Sequence, residues 1–292
     1  MASIAAERPA VRAAGVTAAA RRGAVLLLVL GALWGLWEGW HWIGTHFRLT
    51  WPFQVNDVTM PHLHRIVQAL FQPAQVNGPW LIDILWHASL FTAKESAVGL
   101  ALGGVIGFAL AVLLSQSRLL ERGLIPYIVA SQTIPLLAIA PMVVVGLGSK
   151  GVRDWVSVSV LAAYLTFFPV AINALRGLQS ADARAVELMR SYAAGRWRIL
   201  WKLQVPASLP FLFSAFRIAA PLSIVGAIIS EPAASIQGGL GGAIVNFNQY
   251  YSIEPAELWA TNLIAALLGI AFFLAVVGAE RAVVRRAPEN TV

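Results

Sequence analysis

Few side chains in this sequence are of kinds that make or break bonds, and their spacing decides what they can do. Histidines gather at His41, His46, His62 and His64, and His62-Leu63-His64 resembles a metal-ligand pair. Asp57 is the only carboxylate between His41 and His64. A closed metal site needs more donors than that, so the stretch reads as a surface loop and no metal is expected. A second group, His87, Lys94 and Glu95, falls on different faces of one helix and assembles no acid–base pair. A phosphate-binding loop needs Gly directly before Lys, but the three lysines follow Ala93, Ser149 and Trp201. Neither a nucleophile elbow nor an HExxH helix occurs. No catalytic residue and no cofactor are expected, so any energy must come from another chain. What remains is polar groups beside helix breakers: Ser131, Gln132 and Thr133 precede Pro135 and Pro141 in SQTIPLLAIAP. Each proline removes a backbone donor, and a broken helix survives in lipid only where protein or water takes up the freed groups. Gln132 and Thr133 are therefore candidates for lining a path, with plain interhelical hydrogen bonding as the alternative.

The elements that must carry these residues are membrane spans. The 292 residues are 58% hydrophobic and only 12% charged, about half the charge of a soluble domain. Apolar runs long enough to cross a bilayer lie near 24–44, 83–115, 124–147, 155–175, 210–230 and 256–279. The Ala-rich segment 1–23 carries Arg8, Arg12, Arg21 and Arg22. A cleaved signal peptide is disfavoured there, because no small-residue cleavage site follows and the apolar run continues into tryptophans. The division expected is an N-terminal cytoplasmic segment 1–23, a first span with an external loop over 24–80, a transmembrane body over 81–286 and a tail over 287–292. Gly31, Gly35 and Gly39, and again Gly99, Gly103 and Gly107, recur every four residues as helix-packing faces. Glu38 is expected to reach the interface, Lys94 and Glu95 to anchor against a neighbouring helix or line a path, and Arg217 to snorkel to the cytoplasmic surface. The stretch from Glu231 to Pro255 reads as a Gly-rich loop.

Charge orients the spans. Fifteen of the 21 Lys and Arg fall in the segments that are cytoplasmic if the N-terminus is inside. Only Arg48, Arg65, Lys150 and Arg153 fall outside, while Lys94 and Arg217 lie within spans. This bias gives cytoplasmic N and C termini. The formal charge of +7 is accounted for by these flanks, and with no aromatic-basic module nucleic acid is not an expected partner.

The densest basic stretch, 182–206, then lies in the cytoplasm. Asp182 can cap a short helix, Ala193, Ala194 and Gly195 allow a turn, and a second helix from Arg196 leads towards Pro206 and Pro210, which are expected to interrupt it. This stretch resembles the cytoplasmic signature of binding-protein-dependent ABC transporter permeases: Glu-Ala-Ala, three residues, Gly, nine residues, Ile-x-Leu-Pro. Glu187 takes the acidic position, Ala193 the glycine position, and Leu203 to Pro206 the closing tetrapeptide; Leu188 and Met189 replace the two alanines. SQTIPLLAIAPMVVVGLG, RIAAPLSIVGAIISE and GGLGGAIV are similar to the nitrate/sulfonate/taurine group, so the resemblance runs from Leu81 to Arg286. ELMRSYAAGRW and RIAAPLS lean towards its pyrimidine/riboflavin branch.

The resemblance implies an all-α integral membrane protein with the type I importer permease (MetI-like) fold, in the bacterial plasma (inner) membrane. It implies a coupling segment within 176–208, with Glu187, Ala193, Gly195, Leu203 and Pro206 at the contact with an ATPase. The partners implied are a cytoplasmic ABC ATPase dimer, a second permease copy and an external substrate-binding protein, all set in membrane lipid. The substrate would be a small sulfonate-, taurine- or nitrate-like anion, or a pyrimidine- or riboflavin-like heterocycle. Gln132, Thr133, Ser223, Ser230 and Glu231 are the candidate pathway residues. A stand-alone secondary transporter or channel is the alternative; it would bring an inverted repeat and mid-membrane coupling charges, and neither is evident. An intramembrane enzyme would need paired catalytic groups at one depth.

Overall fold

A computed structural model describes residues 7–47, 54–75 and 78–283. The expected tail 287–292 and the first six residues of the N-terminal segment lie outside that range. Among the described residues the elements are helices. They are α1 (Glu7–His46), α2 (Leu63–Leu70), α3 (Leu81–Ser115), α4 (Arg118–Ser131), α5 (Leu136–Gly148), α6 (Asp154–Gln179), α7 (Ala183–Ser191), α8 (Arg196–Ile199), α9 (Val205–Ser230), α10 (Leu240–Gln249) and α11 (Pro255–Val283). Five helical stretches are long and apolar enough to cross a membrane, and the bent pair α4–α5 makes six, in agreement with the spans expected.

The centre is α3 against α6 and α6 against α9, with α11 flanking α9 and α3. Small residues let these helices approach. Gly99, Gly103 and Gly107 of α3 face Ala162, Thr166 and Val170 of α6, and Thr166 Oγ1 donates across the contact to the Gly99 carbonyl at 3.3 Å. This is the close-packed face that the four-residue spacing foretells. The comparable face of α1, at Gly31, Gly35 and Gly39, touches nothing within 4 Å. Residues 27–36 of that helix are exposed.

The expected third span is broken, and the cause is local. Pro135 stands at the N-cap of α5, and the two halves meet at 94°. The freed groups find partners: Tyr164 of α6 donates its hydroxyl to the Ser131 carbonyl, and Thr133 Oγ1 turns back to the Ala130 carbonyl at 2.7 Å. Pro141, in contrast, sits inside α5 without ending it.

Two expectations need correction. Pro206 and Pro210 do not interrupt the fifth span, which runs helical from Arg196 to Ser230. Residues Leu200–Gln204 form a π-turn, whose wider spacing makes room for a proline ring that a tight α-turn would crowd. The Gly-rich loop contains a helix, α10, because Leu240, Ala243 and Phe247 share one buried face. Arg217 reaches towards the cytoplasmic end of α11, where its Nη2 donates to Glu280.

Candidate functional site

The cytoplasmic end is built around α7. Asp182 caps it, accepting from the Arg184 amide at 2.9 Å, and none of its residues is buried. At its far end the Ala193 amide donates to the Arg190 carbonyl (2.9 Å) and the Ala194 amide to the Met189 carbonyl (3.0 Å). Ala193 itself is left-handed, at φ 57°. This pattern is a Schellman cap, whose left-handed position glycine normally fills. The signature's glycine thus has a conformational reason, and here an alanine adopts the same turn at a cost of roughly 1–2 kcal/mol. Glu187 is exposed, as are the adjacent Leu188 (59% exposed), Tyr192 (78%) at the end of α7, and Trp197 (65%) and Trp201 (57%) further along the segment. Gly195 starts α8 as its N-cap, Leu203 lies half-buried in the π-turn, and Pro206 is exposed in the first turn of α9. The five coupling candidates therefore fall on one continuous stretch between α6 and α9. Its surface carries both the carboxylate and the large apolar side chains.

At the opposite end of α9 a buried latch forms that sequence spacing did not foretell. Glu231, fully buried, accepts from Thr92 Oγ1 of α3 at 2.5 Å and from the Gly241 amide at 2.5 Å. Thr92 Oγ1 in turn accepts from the Leu240 amide at 2.9 Å. A Cβ at Gly239 would strike the Glu231 carboxylate, and one at Gly241 the Ile228 carbonyl. The GGLGG run is thus what lets the chain close over the carboxylate. The direct signal was the run of glycines beside a glutamate. Its partner, Thr92, lies 139 residues away.

The other pathway candidates separate into two places. Gln132 is half-buried and Thr133 exposed at the α4–α5 break, whereas Ser223 and Ser230 are buried in α9 with Glu231. Ser223 Oγ donates to its own helix at Ala220 O, 2.7 Å. The hydroxyls of Ser96, Ser157 and Ser230 and both carboxyl oxygens of Glu95 are buried without a hydrogen-bond partner among the described residues. The interior of α3, α6 and α9 is therefore polar in places, and Glu95 lies close enough to Glu231 for their carboxyls to interact. Lys94 Nζ, on the next position, sits 4.1 Å from the centroid of the Trp155 ring of α6, a cation–π contact. Counting the ~20 residues of one bilayer crossing back from Ser115 reaches this region, at the outer edge of the hydrocarbon. Just outside it, a cleft of about 400 Å³ is lined by Gln75, His87, Gln237, Gly238, Asn246 and Phe247.

The histidines are not a bare loop either. Glu38 of α1 accepts from His62 Nδ1–H at 2.6 Å and from the Leu63 amide at 3.1 Å. Asp57 sits 3.2 Å from His41 Nε2 and accepts from Arg65 at 2.8 Å. Partial burial raises the Asp57 pKa, but the Arg65 guanidinium and His41 outweigh it and hold the carboxyl below its usual range.

Comparison with known proteins agrees with this architecture. Residues 103–287 match the family described as "Binding-protein-dependent transport system inner membrane component". The chain is 35% identical over 180 residues to the formylaminopyrimidine transport permease protein ThiX of Halalkalibacterium halodurans, covering 62% of this chain and 69% of that one. It is 29% identical over 250 residues to a probable ABC transporter permease protein of Haemophilus influenzae, covering 86% and 92%. A solved amino acid ABC transporter chain superposes with a TM-score of 0.55 over 69% of this chain and 95% of that one, at 16% identity. At that identity the likeness speaks for the fold alone.

Proposed function

This chain belongs to the family of inner membrane components of binding-protein-dependent transport systems, and from that premise we propose how it works and what it carries. It is the multi-pass permease subunit of an ABC importer. In our reading two copies enclose the pathway, a cytoplasmic ATPase dimer drives them, and an external binding protein delivers the solute. The observation that carries the coupling scheme is α7: a capped helix with no buried residue that holds the exposed Glu187 and Leu188 and is followed by the exposed Tyr192 and Trp197. Exposed aromatic and aliphatic anchors around a charge suit a protein groove better than water. A short helix fixed between α6 and α9 can convert closure of two ATPase domains into rigid-body motion of the spans. Glu187 would make the polar contact, and Ala193 with Gly195 the close backbone approach.

For the solute we favour a small nitrogen heterocycle of the formylaminopyrimidine kind, carried by the similarity to the H. halodurans permease. Gln132 and Thr133 at the break, and Ser223, Ser230 and Glu231 inside α9, would serve the path. The buried latch would close its outer end in this conformation. The test is uptake by vesicles holding the chain with its ATPase and binding protein. Labelled aminopyrimidine should enter in an ATP-dependent manner, and Glu187→Lys should keep ATP hydrolysis while abolishing uptake. Wild-type uptake in Glu187→Lys would refute the coupling role, and uptake of a sulfonate or nitrate instead would refute the heterocycle.

A further inference from the structure

The external end of α1 meets the body through an edge contact of Trp37 on Trp259 and through a set of polar groups. Trp37 Nε1 donates to the Pro61 carbonyl at 3.1 Å, Glu38 holds His62 and the Leu63 amide, and His41, 5% exposed, faces Asp57. The hydrogen bonds fix the protonation pattern. His62 Nδ1–H is committed to Glu38, so Nε2 presents a lone pair when the ring is neutral. That nitrogen faces Asp57 Oδ1 at 3.9 Å. His41 Nε2 approaches the same oxygen at 3.2 Å, while the other oxygen, Oδ2, is taken by Arg65 at 2.8 Å. One donor atom from each of His41, Asp57 and His62 lies within 4.8 Å of the others. The imidazole planes, with centroids 4.0 Å apart, lean over one another. Two imidazole nitrogens and a carboxylate oxygen converge on one small volume, a donor set that a cation can join by replacing the His41–Asp57 hydrogen bond.

We propose that His41, Asp57 and His62 form a binding site for a divalent cation of the zinc class, with Glu38 as the positioning residue that orients His62. A tetrahedral ion with bonds of ~2.0–2.1 Å sets its donors ~3.3 Å apart. The His41–Asp57 separation of 3.2 Å already has that value, and the His62–Asp57 separation of 3.9 Å needs to close by roughly half an ångström. The carboxylate–histidine–metal relay is the usual way in which a ligand imidazole is held in its tautomer. Nitrogen and oxygen donors together select zinc, cobalt or nickel over magnesium or calcium. Asp57 and His62 are partly exposed, which leaves a fourth position for water. The alternative grouping of Glu38, His62 and His64 also lies within ligand distance, but it would have to break the 2.6 Å bond between Glu38 and His62. An ion at the chosen site fastens α1 to the loop and, through α2, to α11.

The test uses the full chain, without a histidine tag, purified in lipid nanodiscs and titrated with Zn²⁺ against a competing chelator; Co²⁺ absorption reports geometry. The expected result is one Zn²⁺ per chain and a tetrahedral Co²⁺ spectrum. His41→Ala with His62→Gln should weaken binding at least 100-fold and Glu38→Gln 10- to 100-fold, while His64→Ala and His87→Ala bind as the parent does. Circular dichroism confirms that each variant is folded. The proposal is overturned if the parent binds no Zn²⁺ in the titration. It is equally overturned if the double variant binds unchanged, or if His64→Ala loses as much as the double variant.

Discussion

Ala193 carries the clearest statement that a single residue makes about this protein. Its φ of 57° places an L-residue where glycine is at ease, so Ala193→Gly is expected to stabilise the end of α7 by about 1 kcal/mol. Slower hydrogen exchange at the Tyr192 and Ala194 amides checks this, with uptake unchanged. The signature was legible in the sequence by spacing despite five altered letters. Why the altered letter works was not legible, because only the backbone dihedral supplies the reason. Thr92 is the opposite case. Nothing in its sequence neighbourhood marks it, yet its hydroxyl donates to Glu231 and accepts from the Leu240 amide. Thr92→Val keeps the shape and strands both partners, so it should lower stability by roughly 1–3 kcal/mol, read as a fall in melting temperature in detergent. The polar contacts of the histidines were illegible for a similar reason. Asp57 was counted as the sole nearby carboxylate, whereas the fold brings Glu38 to His62 from 24 residues upstream.

At the scale of elements, the glycines of α3 and Pro135 spoke plainly, while Pro206, Pro210 and the polar pairings between helices did not. The α3–α6 contact was written in Gly99, Gly103 and Gly107, since a period of four can only align on a helix face. Gly103→Leu should therefore push α3 away from Thr166. Overpacking of this kind costs typically 1–3 kcal/mol, and the expected readout is a lower melting temperature with loss of uptake. Gly35→Leu, on a face that meets nothing within 4 Å, should leave the melting temperature unchanged. The break at Pro135 was also foreseeable, though its 94° angle was not. That angle depends on packing against α6 and on Tyr164 reaching Ser131. The helix inside the Gly-rich loop was hidden because its glycines depress any local helix propensity, and tertiary burial of Leu240 and Phe247 overrides it.

For the whole molecule, the oily composition announced six spans, with which the helices agree, and the lopsided basic residues predict both termini inside. The chain contains no cysteine, so single thiols can map its orientation without background. Gln75→Cys should react with an impermeant maleimide in intact cells, and Ser191→Cys only after the membrane is opened. The reverse pattern would overturn the charge-derived orientation. What a sequence cannot convey is how a push at one end is aimed at the other, and here the π-turn at Leu200–Gln204 matters. Such a turn holds one residue more than an α-turn, and each residue is worth ~100° of azimuth about the axis. It therefore sets the compass bearing of α7 relative to α9. The same coupling helix on an unbroken α-helix would point about a quarter-turn away, towards a different neighbour in the assembled transporter.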